Sequence, residues 1–445
     1  DLAGIVTATT FSGSGASLTN LPAANVTGTL PAISGANLTN LPAANLTGAL
    51  PAISGANLTG IAATDNVRTG ILDVAGIATF RNNVNVGTAV TITESGIEAT
   101  GVGITVANIN GGQIGGRRNL IINGAMTIAQ RSTSASTSDG YATVDRFRVN
   151  SAGTDEAPTQ AQVDVASGTT PYTEGFRKAY KITNGNQTSG AGAGDFIRIL
   201  YLIEAQDLAN SGWNYTDPNS SITLSFWVKV SVAQTYYVNF RAYDGTGKMY
   251  CFAVALSANT WTKVVHTLPG HADLSFDNDV NSGLYIQWFQ YRGTNNTGTV
   301  TLNQWNNYDS TILTPDQTST WYTTNDATYE LTGVQLEVGS QATPFEHRSY
   351  GEEHNLCLRY YRVQSKTRSS GANDNSNYVM LNSFPLSPHM RNTPTCAIYG
   401  SANYNSNVTS IGTVNIAQDH VGFIGNITDS GYWYYNNGWT ADAEL

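Results

Sequence analysis

The chain carries little charge for its length. Only 12% of its 445 residues are Asp, Glu, Lys or Arg, about half the usual share of a soluble domain. The net charge of −10 argues against a nucleic-acid partner, because contact with phosphates calls for a basic face. Gly, Asn, Thr and Ser must then cover the surface, and these residues are poor helix formers. The composition therefore favours sheets and turns.

Cysteines and long apolar runs are also scarce. Cys251, Cys357 and Cys396 are odd in number and widely spaced, which argues against a disulfide framework and predicts buried free thiols. Such thiols are compatible with assembly in a reducing cytosol. Since no run approaches 18 uninterrupted apolar residues, we expect no membrane insertion.

Catalytic and metal-binding motifs are missing. The sequence contains no GxSxG elbow, no HExxH pair, no paired CxxC and no P-loop lysine, so it predicts no enzyme, no cofactor and no metal site. Acidic side chains could still meet in space, for glycoside hydrolysis or for Ca²⁺, although loop carboxylates are usually solvated. The candidate pairs for hydrolysis are Asp155 with Glu156, Asp277 with Asp279, and Glu352 with Glu353, and the candidate Ca²⁺ ligands are Asp273, Asp277 and Asp279.

Aromatic residues are almost absent from the first quarter of the chain. Only Phe11 and Phe80 precede residue 110, whereas all eight tryptophans lie between Trp213 and Trp439. This division predicts a thin region built from small residues, followed by globular regions built around large ones.

The thin region begins with a repeat of 20 residues. Residues 15–34 read GASLTNLPAANVTGTLPAIS, residues 35–54 read GANLTNLPAANLTGALPAIS, and a third copy starts at residue 55. Such a unit is too short to bury its own apolar face, so it must stack on copies of itself. We interpret residues 1–64 as a multi-chain shaft whose axial core comes from partner chains. A flexible linker, or a set of Asn-x-Thr glycosylation sites, is the alternative.

Beyond the repeats the pattern becomes that of strands. Val84, Val86, Val90 and Ile92 share one parity, and residues 102–106 alternate in the same way, which predicts short half-buried strands in a neck at 65–116. The GGQIGG run at 111–116 is interpreted as a break, so a new domain is expected from residue 117.

Residues 117–350 predict a β-sandwich. The run SITLSFWVKV at 221–230 turns Ile222, Leu224, Phe226, Val228 and Val230 to one side and polar residues to the other. Further alternating runs follow, joined by Gly- and Asn-rich turns, as in a sandwich or barrel. Residues 351–364 form a connector with a short helix or turn-to-strand candidate, and residues 365–445 predict a small C-terminal β tip.

Two resemblances follow from particular motifs. FWVK at 226–229, WTKVV at 261–265, LYIQWF at 284–289 and LTGVQLEVG at 331–339 resemble a jelly-roll carbohydrate-binding module. This resemblance implies that the sandwich is a jelly roll.

A second set of motifs resembles tail-fibre proteins of bacteriophages. It comprises NLIINGAMTIAQR at 119–131, VDRF at 144–147, the long GVQLEVGSQATPFEHRSYGEEHNLCLRYYRV run at 333–363 and ADAEL at 441–445. The QLEVG…ATPFE…RYY part is the most specific. Together with the shaft, the resemblance covers most of the chain, although the virion-attachment segment of a complete fibre is not recognisable.

This resemblance implies an all-β homotrimer located in the virion and assembled in the host cytoplasm. A repetitive β shaft would carry the sandwich and the tip, join an upstream tail, baseplate or adaptor protein, and bind a host-surface glycan or envelope receptor. A fibre-borne polysaccharide depolymerase and a cell-surface adhesin or filament subunit are the alternatives.

Glycan binding needs an aromatic platform beside polar groups, because sugars present apolar C–H faces and hydroxyls. The run GYWYYNNGW at 431–439 supplies both, and strand alternation turns one set of its rings to solvent or to a neighbouring chain. Trp227 lies on the polar parity of its strand, and three further rings lie in Asn- and Thr-rich loops. Burial or a trimer contact is the alternative for each. The candidates are Tyr432, Trp433, Tyr434, Tyr435, Asn436, Trp439, Trp227, Trp305, Trp321 and Tyr322.

Overall fold

A computed structural model describes residues 118–373, 378–399, 408–414, 416–427 and 431–445, three short strands before residue 100, and single residues before residue 20. The side chains of the three short strands, and of several residues between 366 and 437, lie outside this description. The chain divides into two compact units, residues 1–102 and residues 103–445, which are taken separately below.

The first unit contains a three-stranded antiparallel sheet. Its strands are β1 (Val84–Val86), β2 (Val90–Thr93) and β3 (Gly96–Ala99). Val84 pairs with Ile92 and Val86 with Val90, so the residues predicted to share a parity are backbone partners in the sheet. The 20-residue repeats and the strand expected at 102–106 lie outside the described residues.

The second unit holds a β-sandwich, so the all-β prediction is confirmed. One sheet has six strands in the order β13-β10-β9-β12-β7-β4, and the other has five in the order β11-β8-β14-β6-β5. Neighbouring strands are antiparallel. The strands are β4 (Phe147–Ala152), β5 (Thr159–Asp164), β6 (Lys178–Thr183), β7 (Phe196–Glu204), β8 (Ser221–Val230), β9 (Gln234–Ala242), β10 (Lys248–Leu256), β11 (Thr262–Pro269), β12 (Ser282–Arg292), β13 (Trp305–Asn307) and β14 (Thr328–Val338).

The core of the sandwich is the alternating set of side chains between the two sheets. Ile222, Leu224, Phe226, Val228 and Val230 of β8 are each at most 1% exposed and belong to this core. Period-two alternation on a strand that faces another sheet turns one parity toward that sheet. The predicted inward face of β8 is therefore confirmed.

Helices are short and lie between the strands. They are α1 (Thr170–Thr173), α2 (Ala205–Ala209), α3 (Thr320–Thr323), α4 (Tyr350–Cys357) and a 3₁₀ turn at Thr294–Asn296. Helix α4 falls in the segment where the sequence favoured a helix. It begins with a capping box, in which the Ser349 hydroxyl accepts the Glu352 N–H while the Glu352 carboxylate accepts the Ser349 N–H. In the described part of the chain no helix is both long and apolar enough to cross a bilayer.

Two three-stranded sheets follow the sandwich, with orders β15-β20-β17 and β16-β19-β18. Leu386, Met390, Val421, Phe423 and Trp439 pack between them. The strands are β15 (Tyr361–Asn373), β16 (Tyr378–Pro385), β17 (Thr395–Tyr399), β18 (Val408–Val414), β19 (His420–Ile427) and β20 (Gly431–Asp442).

The motifs that carry the tail-fibre resemblance meet in one buried polar network. The Asn123 N–H donates to the Glu353 carboxylate at 2.5 Å. Arg348 donates to Glu353 at 3.4 Å and to the Asn119 carbonyl at 2.5 Å. The Asn119 side-chain oxygen accepts the main-chain N–H of Leu336 in β14 at 3.0 Å. The first motif is thereby bonded to the sandwich and to helix α4.

The same network continues to the last residues of the chain. Arg146 and Glu444 form an ion pair whose side chains are 1% and 4% exposed, and Arg131 pairs with Asp442 at 2.9 Å. The Arg146 guanidinium also lies 3.4 Å from the centre of the Tyr360 ring. The motif residues therefore fasten the segment after β20 to the sandwich.

The three cysteines are free. Cys251 and Cys357 are buried, and Cys396 is half-buried. Burial raises the pKa of the Cys396 thiol to about 11, so near neutral pH this thiol stays protonated and unreactive.

Candidate functional site

The outer face of the six-stranded sheet carries the most concentrated set of polar and charged groups. Strand pairing places Arg148 beside Leu200, Leu200 beside Gln287, and Gln287 beside Asn239 in one row across four strands. Directly paired residues point to the same face of a sheet, and the alternate residues of these strands form the core. This row therefore lies on the side away from the core.

A second row runs beside the first. Leu202 pairs with Tyr285, and Tyr285 pairs with Arg241, while Arg198 pairs with Asn150 on the other flank of the first row. We call this surface the arginine face, defined by Arg148, Arg198, Arg241, Tyr285 and Gln287.

Neutral amides hold Arg198 in place. Its Nη1 donates to the Gln287 side-chain oxygen at 2.6 Å, and its Nη2 donates to the Asn150 side-chain oxygen at 2.8 Å. Gln287 in turn donates to the Asn239 side-chain oxygen at 3.2 Å. The guanidinium is thus fixed by groups that leave its positive charge unneutralised.

Tyrosine rings hold Arg241. Its guanidinium carbon lies 4.1 Å from the centre of the Tyr243 ring and 3.7 Å from the centre of the Tyr308 ring. Tyr243 stacks on Tyr285, with ring centres 4.8 Å apart and an angle of 29° between the planes. Cation–π contacts of this kind orient a guanidinium without removing its charge.

A cavity of about 120 Å³ opens among these groups. The loop between β13 and α3 closes one side with Tyr308 and Leu313, and the leucines of β7 form an apolar floor. The lining residues are Arg148, Arg198, Leu200, Leu202, Arg241, Tyr285, Gln287, Tyr308, Leu313 and Leu445. The cavity thus combines aromatic edges, amide groups and three guanidinium groups.

The charged side chains that line the cavity are all positive. Burial, with the nearby charges of Arg292, Arg148 and Arg241, lowers the pKa of Arg198 to about 10. The Nε–H groups of Arg148 and Arg241 are buried without a hydrogen-bond partner among the described residues. In the same part of the chain no Asp or Glu side chain lies within ion-pair distance of Arg148, Arg198 or Arg241.

The aromatic candidates in the sandwich lie in its interior. Trp321 and Tyr322 are fully buried, and Trp305 is 8% exposed. The Trp321 indole N–H donates to the Thr328 carbonyl at 3.1 Å, and that of Trp305 donates to the Pro269 carbonyl at 2.7 Å. The loop placement expected for these rings is wrong, because Trp305 begins β13 and Trp321 and Tyr322 lie in α3. The rings bury their faces and the indoles satisfy their N–H groups on the main chain, so these faces are not open to a ligand.

Trp227 lies on the outer side of β8, as its parity indicated, but it is covered. Its indole N–H donates to Glu174 at 3.1 Å, and it packs with Phe176 and Val165 from the segment around α1. It is 7% exposed. The parity of Trp227 correctly predicted that it lies on the outer side of β8. It could not show that the segment around α1 covers this side chain.

The run at 431–439 is described only in part. Trp439 is 3% exposed and packs against Phe384 and Phe423, with ring centres 6.2 and 5.9 Å away. The side chains of Tyr432, Trp433, Tyr434, Tyr435 and Asn436 lie outside the described residues, and their role stays a prediction.

The acidic candidates have local partners. Asp155 accepts hydrogen bonds from Ser189, Glu156 accepts from the Asn186 N–H, and Glu352 caps α4. Asp273 pairs with Lys248 at 2.7 Å. Across the described residues, no group of three or more His, Cys, Asp or Glu side chains is arranged to hold a metal ion.

The sequence interpretation missed the residues of the arginine face. Strand parity carried a signal for these residues: Arg198 is next to the inward-facing Ile199 in β7, and Arg241 is next to the inward-facing Phe240 in β9. A charged residue on a sandwich strand must point away from the core. Which strands lie side by side, and hence which arginines meet, was not readable from one chain.

No protein-family model and no curated protein matches the chain. Among solved structures it is similar to the enzymatically active domain of tailspike protein 4 of bacteriophage CBA120, at 12% identity over 49% of this chain and 21% of that chain, with a TM-score of 0.27. It is also similar to a putative sugar binding protein from Bacteroides thetaiotaomicron, at 12% identity over 50% of this chain and all of that chain, with a TM-score of 0.28. A cyclase from Fischerella sp. TAU aligns at 9% identity over 50% of this chain and 96% of its own, with a TM-score of 0.29. The chain spans about a fifth of the tailspike domain.

Proposed function

We propose that this chain is the receptor-binding protein of a bacteriophage tail fibre, and that it attaches to host-surface glycans through the arginine face. The observation that carries the proposal is the lined cavity of about 120 Å³ on the outer face of the sandwich. The tail-fibre role is supported by the motifs at 119–131, 333–363 and 441–445. Their residues meet in one buried network.

The chemistry of the face suits a sugar. Tyr285 and Tyr308 offer ring edges and hydroxyls to the apolar C–H face of a pyranose, and the Gln287 amide offers a donor and an acceptor for hydroxyls. A pocket for a drug-sized molecule typically holds roughly 300–1,000 Å³, so this smaller cavity would enclose only part of one sugar. Single-site affinity is then low, and several copies on one fibre would supply avidity.

Binding without cleavage is the favoured activity. Hydrolysis of a glycosidic bond calls for two carboxyl groups on either side of it. Neither Asp nor Glu occurs among the residues that line the cavity. The site as described can hold a glycan and has no acid/base pair to cut it.

The first experiment incubates the purified full chain with envelope polysaccharide from candidate hosts, and measures retention and new reducing ends together. We expect retention without new reducing ends. New reducing ends would favour the depolymerase alternative and contradict binding without cleavage. Absence of retention on every host polysaccharide would contradict glycan attachment.

A matched pair of variants tests whether the arginine face is the glycan-binding surface. Tyr285→Ala removes a ring that stacks within the arginine face, and we expect it to lower retention about tenfold, the effect of losing roughly 1.4 kcal/mol. Tyr350→Ala removes a tyrosine that is 68% exposed on helix α4, and retention should not change. Equal retention by both variants would place the binding surface elsewhere.

A further inference from the structure

We propose that the arginine face recognises an acidic glycan, with a carboxylate, sulfate or phosphate ester seated between Arg148, Arg198 and Arg241. This inference rests on the proposed glycan attachment and names the chemical class of the ligand. Three positive side chains from three different strands line one cavity of about 120 Å³. A neutral sugar would use the tyrosines and the amide and would leave these three charges without a role.

The arginines are arranged as an anion receptor. Guanidinium groups bind carboxylates and phosphates through paired N–H donors, which gives short, strong hydrogen bonds. Here the side-chain oxygens of Asn150 and Gln287 fix Arg198, and two tyrosine rings fix Arg241. Groups that are already held in place lose little conformational entropy when a ligand arrives.

Among the described residues, no Asp or Glu side chain pairs with these three arginines. The buried Nε–H of Arg148 and that of Arg241 have no partner within the described residues, and a buried donor without an acceptor is costly. A main-chain oxygen of Leu445, which also lines the cavity, lies 3.4 Å from Nη1 of Arg148. The depressed pKa of Arg198, caused by burial and by the other arginines, reports the same crowding of like charges, which a bound anion would relieve.

The size of the cavity fits a charged substituent. It is several times larger than the roughly 10–15 Å³ that one water molecule needs, and it is smaller than a pocket for a whole drug-sized ligand. It can therefore enclose an oxyanion while the rest of the sugar lies against Tyr285 at the rim. The overall charge of −10 opposes non-specific attraction of an acidic polymer, so its retention would require a local site.

The experiment compares polymers that share one backbone. Full-length protein is titrated with dextran, carboxymethyl-dextran and dextran sulfate at fixed ionic strength, and apparent affinity is measured by biolayer interferometry. We expect at least one acidic polymer to bind about tenfold or more tightly than dextran, because hydrogen bonds to charged groups are among the stronger ones. The two acidic polymers separate carboxylate from sulfate recognition. Affinity should fall as NaCl is added.

Variants test whether the acidic polymer binds at the arginine face. Arg241→Gln and Arg148→Gln should each reduce the affinity for the acidic polymer about tenfold. Arg241→Lys keeps the charge but loses the planar donor pair and should give an intermediate value. The control is Arg177→Gln, which removes the same charge from an exposed arginine before β6 in the other sheet. Thermal midpoints are recorded for all four variants, and the lysine variant carries the test if a glutamine variant fails to fold.

The outcomes separate this inference from the proposed function. Equal affinity for dextran and for both acidic polymers would overturn the acidic ligand while leaving glycan attachment in place. The acidic ligand would also be overturned if Arg241→Gln and Arg177→Gln changed the affinity for the acidic polymer equally, or if no dextran derivative bound. Glycan attachment itself fails only if host polysaccharide is not retained in the experiment described under the proposed function.

Discussion

At the scale of single residues, the stability of the second unit depends on buried charged side chains. Arg146 is 1% exposed and is the partner of Glu444, and its Nη2 also donates to the Leu202 carbonyl at 2.7 Å. Burying an ion pair gives little net stability, but removing one partner leaves an uncompensated charge. Replacing one residue of a buried ion pair in the motif network should therefore lower the stability of the second unit strongly.

Glu444→Gln tests this. We expect the free energy of unfolding to fall by about 3 kcal/mol, the lower end of the cost of breaking a buried pair, measured by urea denaturation. The control is Asp164→Asn, which breaks the pair with Lys178 at a carboxylate that is 81% exposed. That loss should stay within about 1 kcal/mol. Similar values for the two variants would show that Glu444 does not fasten the terminal segment.

A half-buried histidine should make stability depend on pH. The His266 ring stacks on Phe252 with centres 3.9 Å apart, and burial lowers its pKa from about 6.5 to about 4. Between these pH values the imidazole is protonated in the unfolded chain but not in the folded protein. The contribution of His266 to stability is therefore lost as pH falls from about 6.5 to about 4. It is fully present above pH 6.5.

His266→Gln isolates the effect. Urea midpoints of the parent and the variant are compared from pH 4 to pH 8. We expect the parent to lose more stability than the variant on acidification. Asp145, whose pKa burial raises to about 6, acts in the opposite direction but is present in both proteins and cancels in the difference. Parallel pH profiles would show that His266 titrates normally in the folded state.

At the scale of elements, the turn at residues 123–126 is built against β14. The Val334 N–H donates to the Gly124 carbonyl at 2.9 Å, and a Cβ placed on Gly124 would lie 2.0 Å from the Val334 carbonyl oxygen. Only a residue without a side chain permits this approach. The glycine in the NGAM motif is therefore a packing requirement.

Two Gly→Ala variants should move stability in opposite directions. Gly124→Ala forces the turn away from β14 and should cost about 1–3 kcal/mol, as overpacking does. Gly351→Ala lies in helix α4, where the added Cβ would meet nothing within 4 Å, and should stabilise by up to about 1 kcal/mol. Thermal unfolding of both variants gives the comparison. Equal shifts would contradict the close approach at Gly124.

The elements also show what the sequence could and could not predict. The inward parity of β8 and the helix near residue 351 follow from local patterns and were correctly predicted. The placement of Trp227 depends on Phe176 and Glu174, about 50 residues away in sequence, so no local pattern shows that it is covered. The arginine face depends on four strands, β9, β12, β7 and β4, lying side by side in one sheet, which is a property of topology alone.

At the scale of the whole molecule, the sequence predicts two different kinds of core. The sandwich has a complete apolar core within one chain. In residues 15–61, twelve Leu, Ile and Val side chains recur in a 20-residue unit that is too short to form a core of its own. A stable shaft then needs other copies of the chain, and closed symmetry is the usual form of such assemblies.

The last prediction is that the full chain is a trimer at micromolar concentration, measured by light scattering. The repeats supply three times twelve apolar side chains to one axial core, and a polar residue in that core would be buried without a partner. Leu46→Asn should therefore weaken the trimer, while Thr47→Asn, the next residue of the same unit, should leave it intact because strand alternation turns it outward. A monomeric parent protein would contradict the shaft. A trimer that neither variant affects would move the contact between chains from the repeats to another part of the molecule.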